Sequence, residues 1–325
     1  MTKAIRIHET GGPELLIWED VDVGSPGAGE VRLRHTAIGL NFIDVYHRTG
    51  LYPVGDLPVV LGMEGAGVVE DVGEGVFELA PGDRVAYAGV PMGAYAEARL
   101  MPEHRLVKLP EGIDDVRAAA MMLKGMTARY LLRRCHPLRS GETILVHAAA
   151  GGVGLIVCQW ANHIGATVIG TVGSQEKEEL ARKNGCHYPI LYREENFVSR
   201  VREITGNEGV SVVYDSVGRD TFQGSLDCLH PTGMMVSFGQ SSGSVPPFDI
   251  GLLAVKGSLF LTRPSLLVYT ANREDLLETA ADLFDVVEKG VVKIEVNQTY
   301  QLSETATAHR ALESRKTTGS TVLFP

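Results

Sequence analysis

The chain has 325 residues, 44% of them hydrophobic, and carries 40 acidic against 30 basic side chains for a net charge of −10. Such a length calls for about two domains with ample cores. The acidic balance, with both signs interleaved, argues against a nucleic-acid or anionic-membrane surface. No run approaches the ~18 apolar residues of a membrane span. The opening residues Met1-Thr2-Lys3-Ala4-Ile5-Arg6 lack the apolar core of a signal peptide. Cys135, Cys158, Cys186 and Cys228 are scattered without a Cys-x-x-Cys pair and read as reduced, mostly buried thiols, so a cytoplasmic protein is expected.

In chain order, the first third reads as mainly β. Residues 30–37, Glu-Val-Arg-Leu-Arg-His-Thr-Ala, alternate polar and apolar, the pattern of a half-buried strand. Turn signals at Gly11-Gly12-Pro13, Ser25-Pro26-Gly27 and Pro81-Gly82-Asp83 separate short strands, which predicts a partly closed barrel. From about Met121 strands and helices alternate. Strands are predicted at 143–148, 167–172, 188–191, 210–214, 233–238 and 257–262, with Gly185 and Gly206 as helix stops. That alternation fits one doubly wound parallel sheet, so the fold class is α/β. A helix over 273–289 and further short strands then return to the first domain. The predicted boundaries are 1–122 with 266–325 for the barrel domain and 123–265 for the sheet domain.

The segment Ile144 to Leu155 reads as a buried strand, a tight turn and a helix. Its Ala149-x-Gly151-x-x-Gly154 spacing, with Gly152 and Val153 between, is a dinucleotide fingerprint. Small residues let the backbone approach a pyrophosphate, and the helix N-terminus offers unpaired N–H groups. Where the next strand ends, an NAD site usually places an acid for the ribose 2′-OH. Gly173 stands there instead, followed by Ser174 and, in the first helical turn, Lys177. Room for a 2′-phosphate, a hydroxyl and a cation point to NADPH. Ser174 as a plain N-cap and Lys177 as a solvated lysine are the alternatives.

The motifs also carry a family resemblance. Gly62-x-Glu64-x-x-Gly67-x-Val69 and Pro81-Gly82-Asp83-Arg84-Val85, with the fingerprint, resemble the medium-chain dehydrogenase/reductase superfamily over the whole chain. Asn41-Phe42-Ile43-Asp44-x-Tyr46, Gly50-Leu51-Tyr52-Pro53, Leu123-Lys124-Gly125-Met126-Thr127-Ala128, Val213-Tyr214-Asp215-Ser216-Val217-Gly218 and Thr262-Arg263-Pro264-Ser265 resemble its zeta-crystallin-type quinone oxidoreductases. The resemblance implies a GroES-like barrel domain joined to a Rossmann domain. It also implies departures from the zinc alcohol dehydrogenases: Asn41 stands where those have a cysteine, Met63 where they have a histidine, and Leu123 at the third ligand position. The cysteine lobe for structural zinc is absent. Metal-free chemistry is therefore expected.

Reduction of a quinone or an enone needs no Lewis acid, because positioning and a few hydrogen bonds suffice for an electron-poor acceptor. Candidate catalytic residues are Asn41, offering a side-chain N–H to a carbonyl oxygen, and Tyr46 and Tyr52, which can stack on a flat ring or donate a phenolic hydrogen bond. Asp44 reads as structural. By resemblance, further cofactor contacts come from Asn41, from Thr127 and Tyr130 at the start of a domain-crossing helix, and from Tyr192, Ser216, Phe238, Gly239, Ser241, Arg263 and Arg315. His147 reads as a packed strand-end histidine. The leading expectation is an NADPH-dependent quinone reductase. An NADPH-dependent reductase of α,β-unsaturated carbonyls shares the same fold and cofactor. A non-enzymatic crystallin or RNA-binding role is disfavoured by the absence of a basic stripe. A homodimer is expected through the apolar edge strand Ser258 to Thr262.

Overall fold

Alternating side chains build the N-terminal sheets. The computed structural model describes residues 2–325. Thr2–Ile7 (β1) and Ile17–Val21 (β2) pair antiparallel. Glu30–Leu40 (β3) buries Val31, Leu33 and Ile38. Phe42–Arg48 (α1), Val59–Val60 (β4), Glu64–Val72 (β5), Arg84–Ala88 (β6), Ala98–Pro102 (β7), Val107–Lys108 (β8) and Asp115–Tyr130 (α2) follow.

The alternating region then supplies Thr143–Val146 (β9), Gly152–Ile164 (α3), Thr167–Val172 (β10), Gln175–Lys183 (α4), Tyr188–Leu191 (β11), Phe197–Ile204 (α5), Val210–Asp215 (β12), Phe222–Cys228 (α6), Leu229–Ser237 (β13), Gly251–Val255 (α7), Phe260–Thr262 (β14) and Leu266–Tyr269 (α8). The chain closes with Arg273–Glu288 (α9), Val296–Gln301 (β15), Thr305–Glu313 (α10) and Ser320–Phe324 (β16). No helix among the described residues is long and apolar enough to cross a membrane.

Two units result. The first comprises residues 2–126, 270–288 and 294–325; the second comprises 127–269 and 289–293. In the first, a seven-stranded sheet runs β15-β16-β3-β5-β6-β8, with β7 also on β3, beside a three-stranded sheet β2-β1-β4. Ile5, Leu33, Ile38, Val85, Tyr87 and Leu323 fill its core. In the second, six strands run β11-β10-β9-β12-β13-β14, every pair parallel. Leu145, Ile169, Val213 and Met235 centre its core. Chain direction across the sheet reverses between β9 and β12, the place where ligands of open α/β sheets bind.

Three expectations shift. The division falls at 126/127 and 269/270 rather than 122/123 and 265/266, because α2 is continuous and no breaker marks the change. Thr127 and Tyr130 lie at the end of α2, not its start; the Asp114-Asp115 pair, whose Asp114 carboxylate accepts from Arg117 N–H at 2.8 Å, opens the helix much earlier. The edge strand begins only at Phe260, because Gly257 and Ser258 take left-handed φ angles of 112° and 57° and turn the chain first.

Candidate active site

The glycine-rich turn leaves β9 through Ala148, itself at φ 53°, and enters α3 with Gly151 as its N-cap. A Cβ at Gly154 would meet Ala148 O at 2.3 Å and Ala149 Cα at 2.8 Å, so only glycine lets the helix lie this close to the strand end. At the adjacent strand ends, Val172 of β10 pairs with Leu191 of β11, which sets Gly173 beside Tyr192. A Cβ at Gly173 would meet the Tyr192 hydroxyl at 3.0 Å. Ser174 caps α4, its Oγ accepting from Lys177 N–H at 3.4 Å. Gly173, Ser174, Lys177 and Tyr192 thus gather at one corner, with Lys177 half-buried and Tyr192 exposed.

A second grouping forms past β12 and β13. The buried Asp215 carboxylate accepts from Val217 N–H at 2.7 Å, Gly218 N–H at 3.0 Å and the Thr221 hydroxyl at 2.7 Å, which bends the chain at Ser216. Phe238 N–H donates to Asp215 O at 2.8 Å and Ser241 N–H to Ser216 O at 3.2 Å. Gly239 lies so close that a Cβ there would meet Ser216 O at 2.5 Å. Arg263 Nη1 reaches Ser237 O at 2.7 Å. Ser216, Phe238, Gly239, Ser241 and Arg263 are therefore brought together. Tyr130 stacks on Tyr269 at 4.7 Å and 5°; burial pushes its phenol above the usual range. Buried Thr127 lies one turn before it. His147 is enclosed between Thr171 Oγ1 at 2.9 Å and Ser225 Oγ at 3.0 Å, and burial lowers its pKa.

In the first unit, residues 41–52 hold the polar candidates. Tyr46 and Tyr52 meet edge to face at 5.1 Å, with Phe42 and His47 flanking them. Asn41 follows β3 as the N-cap of α1 and is buried. Its Nδ2 donates to Glu64 Oε2 at 2.7 Å and leans on Gly39 O at 3.5 Å. The amide N–H groups of Asn41 are thus directed toward protein acceptors, which differs from the expected donation to a substrate carbonyl, and Oδ1 faces the Asp44 N–H in the α1 capping box with acceptor capacity to spare. Glu64 also accepts from Leu123 N–H at 2.7 Å and from Lys124 Nζ at 3.1 Å. Asp44 accepts from Asn41 N–H at 2.9 Å and from the Tyr95 hydroxyl at 2.7 Å, and that hydroxyl meets His309 Nε2 at 3.1 Å. Burial raises the Asp44 pKa to about 7 and lowers that of His309 to about 3. Arg48 of α1 holds the Glu313 carboxylate with two hydrogen bonds, of 2.7 and 3.0 Å. Arg315 follows on the exposed turn two residues later, at φ 58°.

Comparison with known proteins fits this geometry. The profile of the alcohol dehydrogenase GroES-like domain matches residues 27–111, and that of the zinc-binding dehydrogenases matches 152–284. A quinone oxidoreductase of Pseudomonas aeruginosa is 53% identical over the full length of both chains. A 2-haloacrylate reductase of a Burkholderia species is 51% identical, covering 100% of this chain and 99% of its own. The solved structure of Escherichia coli quinone oxidoreductase complexed with NADPH superposes with a TM-score of 0.98 at 48% identity, covering 99% of this chain and 100% of that one.

The chain belongs to the quinone oxidoreductase family of the medium-chain dehydrogenase/reductases.

As a family member whose matching profile is described by zinc, it raises the question of a metal. The residues do not fit one. Asn41, Met63 and Leu123 bring no thiolate or imidazole to the ligand positions. Of the two buried carboxylates nearby, Glu64 already has both oxygens taken by Leu123, Asn41 and Lys124, and Asp44 accepts from Asn41 N–H and the Tyr95 hydroxyl. Among the described residues there is no group of three or more His, Cys, Asp or Glu side chains poised for a metal. The site chemistry that sequence reasoning missed is Lys124 and Asp215. A lysine inside the apolar stretch Ala118–Met126 and an aspartate at a strand end before Val217-Gly218 were the available signals.

Proposed function

We propose that this chain reduces quinones by hydride transfer, with NADPH as donor and without a metal. The observation that carries the reading is the Gly173, Ser174, Lys177 and Tyr192 corner, in a chain similar over its length to an enzyme solved with NADPH. Gly151, Gly152, Val153 and Gly154 would hold the pyrophosphate at the α3 N-terminus. Lys177, Ser174 and Tyr192 would hold the adenosine 2′-phosphate, which a side chain larger than Gly173 would crowd. Thr127, Tyr130, Ser216, Phe238, Gly239, Ser241, Arg263 and Arg315 are assigned to the remainder of the cofactor. When bound, NADPH supplies the hydride.

Asn41, Tyr46 and Tyr52 are assigned to the reacting end. The tyrosine pair, packed edge to face, offers aromatic surface against which a flat ring can pack. A reduced quinone is acidic enough for solvent to manage its proton. An enolate left by enone reduction is more basic and needs a placed donor, for which Tyr52 is the candidate. The 2-haloacrylate reductase relative favours keeping this second reading.

Steady-state assays with NADPH, a quinone panel and an enone decide between them. If quinones are the substrates, they turn over faster and Tyr52→Phe costs little with them. A general-acid role would cost on the order of 10²–10⁴-fold in kcat; a loss of that size with quinones would refute solvent protonation.

The protein is further proposed to form a homodimer through β14. That strand ends the parallel sheet, and Phe260 on it is 58% exposed, with Val255 and Val268 also exposed. An apolar edge of this kind invites pairing with a second copy.

A further inference from the structure

Glu64 is an expensive residue to place. It sits fully buried in β5, opposite Gly39 of β3. A Cβ at Gly39 would meet Glu64 Oε2 at 2.2 Å and Ala119 O at 2.2 Å, so the sheet leaves room for this carboxylate only by giving up a side chain across from it. A buried ion pair such as Glu64–Lys124 is weak evidence for stability, since apolar side chains of like volume usually serve as well. The pair therefore needs another reason to be there.

We infer that Glu64 and Lys124 are positioning residues that lock the Asn41 carboxamide as a hydrogen-bond acceptor. Glu64 Oε2 lies 2.7 Å from Asn41 Nδ2 and 3.1 Å from Lys124 Nζ. Lysine is a pure donor. An oxygen flanked by the lysine and the amide carries no hydrogen of its own to offer, so the amide must turn its nitrogen inward. Leu123 N–H holds the other oxygen at 2.7 Å, which stops the carboxylate from rotating away. Gly39 O lies on the same side, 3.5 Å from Nδ2, as a weak acceptor for the second amide hydrogen. Asn41 is then left with Oδ1, one lone pair of which faces the Asp44 N–H in the α1 capping box and the other of which is open. Groups bearing N–H or O–H, such as a carboxamide or a hydroquinone hydroxyl, are favoured beside it. A bare carbonyl oxygen is not, and must find its donor elsewhere.

The inference rests on the proposed place of Asn41 at the reacting end, and a charge-conserving exchange separates the two. Asn41→Asp alone sets two carboxylates against each other and should lower kcat/KM on the order of 100-fold. Glu64→Gln alone turns a donor toward Asn41 and should cost about 10- to 100-fold. In the double variant Asn41→Asp/Glu64→Gln, the new carboxamide on β5 donates to the new carboxylate at the end of β3. That carboxylate has no hydrogen to give and still presents an oxygen. Activity should return to within about tenfold of the parent enzyme. A double variant no better than the worse single one overturns the lock. Lys124→Arg should retain more kcat than Lys124→Met at equal melting temperature; equal activity of the two removes Lys124 from the device. This comparison still decides should Glu64→Gln fail to fold. If Asn41→Ala is as active as the parent, the place of Asn41 itself is wrong, and the inference falls with it.

Discussion

Lys177→Ala tests the cofactor assignment most directly. The side chain leaves the first turn of α4, where a cation opposes the helix dipole. The Ser174 cap uses the backbone N–H of residue 177 and survives the change. A charge-assisted hydrogen bond to phosphate contributes about 1.5–3 kcal/mol when desolvated. Lys177 is only half-buried, and water screens such a charge, so the lower end applies: about 1.5 kcal/mol, or roughly a tenfold loss of kcat/KM with NADPH. NADH lacks the 2′-phosphate and should be affected less than about twofold on the same reasoning. Initial rates with both cofactors at fixed quinone measure the two ratios. Equal losses with NADPH and NADH would refute the assignment of Lys177 to the 2′-phosphate.

Purified protein should contain far less than one zinc per chain by elemental analysis and should keep its activity in chelator; one tightly held zinc per chain would overturn the metal-free mechanism. Light scattering at micromolar concentration should give a dimer mass, and Phe260→Asp on β14 should shift it toward monomer; a monomeric parent protein rejects the interface. The His309 contribution to stability should fall on acidification. Its folded pKa is depressed to about 3, so between that value and about 6.5 only the unfolded chain takes up the proton, and stability rises with pH across that window. From pH 5 to pH 7 the contribution is about 2 kcal/mol. Taken with its sign, the change in stability from pH 5 to pH 7 in urea melts should be about 2 kcal/mol less positive for His309→Gln than for the parent, and an unchanged value would exclude His309 as the titrating group. Asp44, raised to about 7, acts in the opposite sense, since the folded state keeps its proton longer. Its contribution is lost as pH rises toward 7.

Periodicity and punctuation determined much of this protein before any tertiary contact was known. The strands at 167–172 and 188–191 stand as read, because a buried parallel strand is an apolar run bounded by turn residues. Gly154 was legible as a fingerprint glycine, since the reason for it is local: the backbone of residues 148 and 149 lies where a side chain would go. The places of Gly173 and Lys177, just past β10 and in the first turn of α4, were legible because the pattern locates that strand end. What depended on distant segments was not. Nothing near Asn41 says which way its amide faces; that is decided by Glu64, 23 residues on, and by Lys124, 60 residues beyond Glu64. The late start of the strand at Phe260 depends on left-handed backbone at Ser258, a residue whose side chain gives no warning of it. The polar chain from Asp44 through Tyr95 to His309 spans 51 and then 214 residues of sequence. Local order follows from side-chain spacing, which sequence displays. The orientation of a buried polar group follows from whichever donors and acceptors the fold carries to it, and only the tertiary structure supplies those.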